Sequence, residues 1–324
     1  MPKTIDIAKR VILALHKDPK SVDLVKSQEG LNTDKSAWNR VSEKAYELFL
    51  AHHRKQREID EKSPYILCTS SEDIKRMLKI NNILANYALT FRSDSTLAEI
   101  NDIERLCQNL PHTEHEIIEE LAKKAMHPVF RAEQKLGRFE VLLPFKEFAV
   151  IIESAVLSFY RSNFIAAYLT LIPTIEGIIS RWLALSGVSK KPDFEDFRKF
   201  FSNGYSRNPC PGNLLFYDIY SKACDQLLSD HFYKPSTAGD AYSNFNRHLA
   251  AHLLKDEIFA TMDNCIRLFL ILDTMAELYI LETHNQNARF YLTEERKRPT
   301  VELYKIASLN FVSSPETILL NKIQ

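Results

Sequence analysis

Residues 164–185 are Phe-Ile-Ala-Ala-Tyr-Leu-Thr-Leu-Ile-Pro-Thr-Ile-Glu-Gly-Ile-Ile-Ser-Arg-Trp-Leu-Ala-Leu, and they decide the fold class. Large apolar side chains recur here at alternating spacings of four and three residues: Phe164, Tyr168, Leu171, Ile175, Ile178, Trp182 and Leu185. This spacing is typical of an α-helix with one stripe buried against neighbouring helices. Pro173 interrupts the stripe and leaves the Leu169 carbonyl without its helical amide partner, so we expect a kink there.

The segments on either side have the same character. Residues 148–159 place Ile151, Ile152, Ala155, Val156 and Phe159 on one helical face. A later segment repeats the alternation at Ile258, Met262, Cys265, Phe269, Leu272, Ala276 and Tyr279. We expect that helix to start near Asp256 and Glu257, since acidic residues suit a helix amino terminus. With a further helix over 214–228, the pattern predicts an antiparallel helical bundle over residues 140–283.

The remainder of the chain is more polar but also favours helices. Only 7 glycines occur in 324 residues, and long alternating runs of β-branched residues are missing, so we predict an all-α protein. Residues 1–139 show amphipathic segments at 5–16, 37–57, 71–89, 97–106 and 114–125. The apolar pattern weakens at 128–144. We therefore predict a separate helical N-terminal domain (1–139) that senses or restrains, followed by the bundle (140–283) and a C-terminal extension (284–324).

Charge and cysteine content narrow the function classes. The 42 basic and 42 acidic side chains cancel, and residues 140–283 alone carry 13 basic and 17 acidic ones. A protein that coats nucleic acid would be more basic, so any contact with RNA must be local. The five cysteines form no Cys-x-x-Cys pair. Because the sequence also contains no apolar run of about 18 residues, we expect a cytoplasmic protein without a membrane segment or disulfide frame.

A polar motif stands directly before the last apolar segment. Residues 244–252 are Asn-Phe-Asn-Arg-His-Leu-Ala-Ala-His, so His252 follows Arg247 after four residues. The spacing alone means little, because Arg10 with His16 and Arg105 with His112 are similarly spaced. The context is the stronger signal. A long apolar helix follows the motif, and about eighty residues upstream the segment 160–177 ends in Pro-Thr-Ile-Glu-Gly.

These two segments resemble the HEPN (higher eukaryote and prokaryote nucleotide-binding) family, in its Asn-Arg-His-x-x-x-His form, over residues of about 140–283. The resemblance implies a helical bundle, a metal-independent endoribonuclease of the kind found in toxins and phage defence, and a site completed across a homodimer. Relatives often have glycine just after the motif histidine, whereas Leu253 and Leu254 follow here. A regulatory protein partner would fit such a setting.

The motif residues suit RNA cleavage without a metal or cofactor. Imidazole titrates near neutral pH, so His252 is the expected general acid/base. The guanidinium of Arg247 would stabilise the charged phosphate through two parallel hydrogen bonds. Supporting roles are expected for Asn246, His248 and Glu176, and RNA contacts for Arg296, Lys297 and Arg298.

Several alternatives stay open on the sequence alone. Arg247 could pair with an acid such as Asp240, and Glu176 could be a surface carboxylate or a partner for Arg181. His112, His115 and His127 could be imagined as a metal site, although no acid or cysteine completes it. The protein as a whole could be a non-catalytic HEPN module that binds RNA or a nucleotide or regulates a partner, or a helical adaptor.

Overall fold

The structure is a computed structural model that describes residues 2–17, 19–62, 71–92, 95–187, 191–208, 211, 214–234, 245–248, 259–283, 292–310 and 315. Within these ranges every regular element is a helix and no strand occurs. The predicted all-α fold is therefore confirmed.

Three helices form the amino-terminal part: α1 (Pro2–Lys17), α2 (Pro19–Gln28) and α3 (Lys35–Lys62). They pack on one another around a small core of their own, made of Ile7, Ala8, Val11, Ala14, Val25, Leu31, Val41 and Ala45. The sequence predicted α1 and α3 but missed α2. Its signal was Pro19, because proline is favoured in the first turn of a helix, where its missing amide proton costs nothing.

The next helices are α4 (Ser71–Ala85), α5 (Leu97–Cys107), α6 (Glu114–Ala125) and α7 (Pro128–Gln134), which continues as a π-helical turn over Lys135–Phe139. A capping box starts α5, where the Thr96 side chain accepts from the Glu99 amide and the Glu99 carboxylate accepts from the Thr96 amide. His127 caps α7 by accepting from the Val129 amide at 3.3 Å. Pro128, where the apolar pattern of the sequence begins to weaken, is the first residue of a helix.

The predicted bundle contains α8 (Leu143–Lys146), α9 (Ala149–Tyr160) and α10 (Phe164–Leu185). A tight turn joins α9 to α10, and Asn163 caps α10 by accepting from the Ala166 amide at 3.1 Å. The helix α10 runs without a break across Pro173. The carboxy-terminal elements are α11 (Phe194–Arg198), α12 (Gly204–Arg207), α13 (Leu214–Gln226), a π-helical segment (Leu227–Phe232), α14 (Met262–Thr283) and α15 (Glu294–Leu309).

Helix α14 is the centre of the molecule, since nearly all of its side chains are buried. It contacts α6, α10 and α13. The predicted start of this helix near residue 256 lies outside the described residues, and the described helix begins at Met262. Helix α15 packs on α7 and α9 and places Val301 and Tyr304 in the core. The C-terminal extension thus packs back onto the bundle.

A single large hydrophobic core contains buried side chains from many helices, the first in the chain being Ile74 and the last Tyr304. Polar contacts follow the same path. The Asp273 carboxylate on α14 accepts from Arg92 at 2.7 Å and also from Arg131 on α7, and all three side chains are buried. Contacts of both kinds therefore cross the predicted boundary at residue 139. The described cores divide between α3 and α4 instead.

On length and composition, α10 is the one helix in the described part of the chain that could span a membrane. Ten of its side chains are nevertheless buried inside the protein, among them Tyr168, Ile175 and Trp182.

Candidate functional site

The segment Phe245–His248 is tied to the end of the π-helical segment by one side chain. Asn246 is 1% exposed. Its Nδ2 donates to the Lys234 carbonyl at 2.9 Å and more weakly to the His231 carbonyl at 3.5 Å, while its Oδ1 accepts from the His248 amide at 2.8 Å. These bonds use both ends of the amide group. Asn246 therefore clamps the backbone on which Arg247 stands, and its side chain is not available to a phosphate in this arrangement.

Arg247 is held by Glu176, which lies 71 residues earlier in the chain. Arg247 Nε donates to Glu176 Oε1 at 2.6 Å and Nη2 donates to Oε2 at 3.3 Å. Such a two-bond pairing fixes the orientation of the guanidinium plane. The two side chains are 28% and 21% exposed, so solvent reaches the pair from one side.

The structure thereby brings together two residues that the sequence singled out separately. Arg181, the alternative partner considered for Glu176, pairs with Glu147 instead. Asp240, the acid proposed as an alternative partner for Arg247, lies outside the described residues.

A close helix packing positions Glu176. A side-chain carbon added at Gly177 would lie 2.5 Å from the ring of Phe148, which is far inside a normal contact distance. Glycine at this position lets Phe148, just before α9, press against the backbone of α10. The Pro-Thr-Ile-Glu-Gly sequence thus combines a packing glycine with the carboxylate that holds Arg247.

Tyr233 is a member of the site that sequence reasoning missed. It follows the π-helical segment directly and is 1% exposed, with its ring packed against those of Phe194 and Phe197 at centroid distances of 5.7 and 6.0 Å. Burial raises the pKa of Tyr233 well above its usual value, and the neighbouring Glu176 carboxylate raises it further, while Arg247 acts in the opposite direction. The buried hydroxyl nonetheless makes no hydrogen bond of normal geometry. The π-helical segment before Tyr233 is a structural signal, since such turns are frequent at functional sites, and it cannot be seen in the sequence.

The other predicted site residues are distributed as follows. His248 is partly exposed beside Arg247, and the expected general acid/base His252 lies outside the described residues. On α15, Arg296 and Arg298 are exposed. Lys297 is buried, and its Nζ forms ion pairs with Glu133 at 2.7 Å and with Glu294 at 2.8 Å. Its charge therefore already has two partners. The predicted RNA contact of Lys297 would require these ion pairs to open.

No group of three or more His, Cys, Asp or Glu side chains among the described residues is arranged to hold a metal ion. Of the three histidines considered for a metal site, His127 caps a helix and His115 lies beside Glu119 and Asp263. In the described part of the site the charged groups are a guanidinium and a carboxylate. The guanidinium can bind and orient an anion if the Glu176 carboxylate moves away from it.

No family model, curated protein or solved structure matches the chain. The resemblance to HEPN proteins therefore rests on the sequence motif alone.

Proposed function

We propose that this protein is a metal-independent endoribonuclease of the HEPN type. One observation carries the proposal: Arg247, directly ahead of the chain segment that leads into α14, is oriented by the two hydrogen bonds that it donates to Glu176 on α10, and it stays partly open to solvent. A guanidinium group held in one orientation suits phosphate recognition, because it can donate two parallel hydrogen bonds. The all-helical bundle around the pair supports the same proposal.

The proposed reaction needs only groups of this chain and the RNA. The ribose 2′-oxygen attacks the adjacent phosphorus while an imidazole removes its proton, and the bond from phosphorus to the 5′-oxygen breaks as that oxygen gains a proton. The product is a 2′,3′-cyclic phosphate. In this scheme His252 transfers the proton and Arg247 stabilises the charge that the phosphate gains in the transition state. His248 would orient the phosphate, and Arg296, Lys297 and Arg298 would contact the RNA outside the site.

The test is incubation of the purified chain with RNA in the presence of EDTA. We expect cleavage that survives the chelator, products with 2′,3′-cyclic phosphate ends, and no cleavage of DNA, which lacks the 2′-hydroxyl. His252→Ala should slow cleavage by about 10²–10⁴-fold and Arg247→Ala by about 10²–10³-fold. Arg181→Ala is the matched control, because it removes a different Arg–Glu pair whose arginine lies on α10, the helix that carries Glu176. This variant should cleave RNA as the parent protein does.

Two results would exclude this proposal. Cleavage that stops on addition of EDTA would require a metal. Cleavage that persists in both the His252 and the Arg247 variants would come from a contaminating nuclease.

The proposal includes a homodimer, because a partner copy would bring a second Arg–His pair into one cleft and supply its other wall. Light scattering at micromolar concentration should give twice the 37.5 kDa chain mass. A monomer mass, unchanged by added RNA, would remove this part of the proposal.

A cytoplasmic toxin or phage-defence role, with a regulatory protein as partner, would give such an enzyme its setting.

The second candidate is a non-catalytic HEPN module that binds RNA or a nucleotide or regulates a partner protein. Two observations favour it: Glu176 already neutralises Arg247, and residues 140–283 carry more acidic than basic side chains. Binding of RNA without any cleavage by the parent protein, under the same conditions, would favour this candidate over the nuclease.

A further inference from the structure

Glu176 has two potential hydrogen-bond donors beside it, and only Arg247 makes hydrogen bonds of normal geometry to it. The guanidinium of Arg247 occupies both carboxylate oxygens, at 2.6 and 3.3 Å. The hydroxyl of Tyr233 lies beside the same carboxylate and is buried, but it makes no hydrogen bond of normal geometry to it. A buried hydroxyl without a partner carries a desolvation cost that a nearby acceptor would remove.

The two donors and the carboxylate that accepts from them differ in their freedom to move. The backbone next to Tyr233 is held through the Asn246 clamp on the carbonyls of His231 and Lys234, and its ring is packed among aromatic neighbours. Arg247 stands on the same clamped segment. Glu176, in contrast, reaches the site through a flexible side chain that is 21% exposed. The carboxylate is therefore the part of this cluster that can change partners with the least disturbance.

We infer that Tyr233 is a positioning residue whose hydroxyl donates a hydrogen bond to the Glu176 carboxylate when an anionic phosphate displaces that carboxylate from Arg247. With the site empty, Glu176 holds the guanidinium in place and blocks it. When a phosphate binds, Arg247 turns its two parallel donors to the phosphate. Glu176 leaves that position and accepts a hydrogen bond from the Tyr233 hydroxyl instead. Without the Tyr233 hydroxyl the released carboxylate would lose the hydrogen bonds of Arg247 and would not gain that of the tyrosine.

This inference has one part that rests on the proposed function, namely that the phosphate belongs to RNA. The exchange of partners itself does not. It predicts that removal of Arg247 alone, with no ligand present, sends Glu176 to Tyr233. The two parts can therefore be tested separately.

The first experiment follows the tyrosines by NMR in full-length protein labelled with ¹³C at the ring carbon that bears the hydroxyl. The chain has 13 tyrosines, and the signal lost in Tyr233→Phe identifies the one of interest. In Arg247→Ala this signal should move downfield, as expected for a phenol that donates to a carboxylate. Arg181→Ala, which frees Glu147 instead, should leave it in place. An unmoved Tyr233 signal in Arg247→Ala would overturn the inference.

The second experiment measures binding of a single-stranded RNA methylated at every 2′-oxygen, which cannot be cleaved, by fluorescence anisotropy. Tyr233→Phe should weaken binding about tenfold, the effect of one hydrogen bond to a charged group. Tyr168→Phe is the matched control, since Tyr168 also has a buried hydroxyl without a partner but no carboxylate is among the groups that perturb it. In a Glu176→Gln background the Tyr233→Phe effect should disappear, because the carboxylate that couples the two residues is gone.

The outcomes separate the inference from the proposed function. A Tyr233 signal that moves in Arg247→Ala, in a protein that binds no RNA, supports the exchange of partners and removes RNA as its ligand. Binding by the parent protein that Tyr233→Phe leaves unchanged would overturn the positioning role. Circular dichroism and thermal unfolding of Tyr233→Phe should match those of the parent, because the substitution deletes only a hydroxyl that lacks a partner.

Discussion

Asp273→Asn is the sharpest test of how the two predicted parts of the chain are joined. Asp273 Oδ2 accepts from Arg92 Nη1 at 2.7 Å and also from Arg131, and none of the three side chains is more than 4% exposed. Asparagine keeps the shape but removes the negative charge that both guanidinium groups share. Removing one partner from a buried ion pair costs about 3–5 kcal/mol, because it leaves a buried charge uncompensated. That is a large fraction of a total stability of about 5–15 kcal/mol.

The assay is urea unfolding followed by circular dichroism, with the free energy of unfolding extrapolated to water. Glu277→Gln is the matched control one turn further along α14. Its partner Arg138, at 2.9 Å, is 18% exposed and also donates to the Gly137 carbonyl. Because solvent reaches that pair, we expect Glu277→Gln to cost only about 1 kcal/mol.

The reasoning would be refuted by an Asp273→Asn loss no larger than that of the control. It would also be refuted by two separate transitions for residues 71–139 and 140–304. One shared core predicts that these residues unfold together.

Two further predictions concern domain organisation and pH. Deletion of residues 1–62 should leave a soluble, helical remainder, whereas deletion of residues 1–139 should give an insoluble one, because it removes α4–α7 from the shared core; circular dichroism and sedimentation of the two truncated chains check this. Burial lowers the pKa of His231, whose Nε2 lies 3.0 Å from the Ala85 carbonyl. The unfolded chain then binds more protons below about pH 6.5, so stability should be complete above that value and fall as the pH decreases toward the folded pKa. Urea midpoints between about pH 5 and pH 7.5 should show this fall, and His231→Gln should reduce it; an unchanged slope would contradict the assignment to His231.

The helices of the bundle could be predicted from the sequence because their signal is local. An apolar stripe such as Tyr168, Ile175 and Trp182 is a property of one helix, and the spacing of four and three residues reveals it without knowledge of any neighbour. The same holds for α9 and for much of α14 and α3. No helix was predicted at Pro19, Pro128 or Pro144, although each stands in the first turn of one. A closer use of the preference for proline at helix starts would have found these elements.

For the candidate site, the sequence predicted several of the residues but not their roles. Arg247, Asn246 and Glu176 were singled out from their sequence context, but their roles depend on distances that no local pattern encodes. The pairing of Arg247 with Glu176 joins residues 71 positions apart, and the Arg92–Asp273 pair joins residues 181 apart. Tyr233 carries no sequence signal, because its importance comes from a hydroxyl buried beside a carboxylate of another helix.

The sequence by itself thus determined the fold class, the main helices and the residues worth examining. Only the tertiary structure decided which charge meets which, that Asn246 serves as a clamp, and that residues 71–139 share the core of the bundle. The physical reason is that helical periodicity is set by contacts along a single turn or two of chain. Ion pairs and buried hydroxyls, in contrast, are set by packing between helices, where any acid in the chain is a candidate until the geometry selects one.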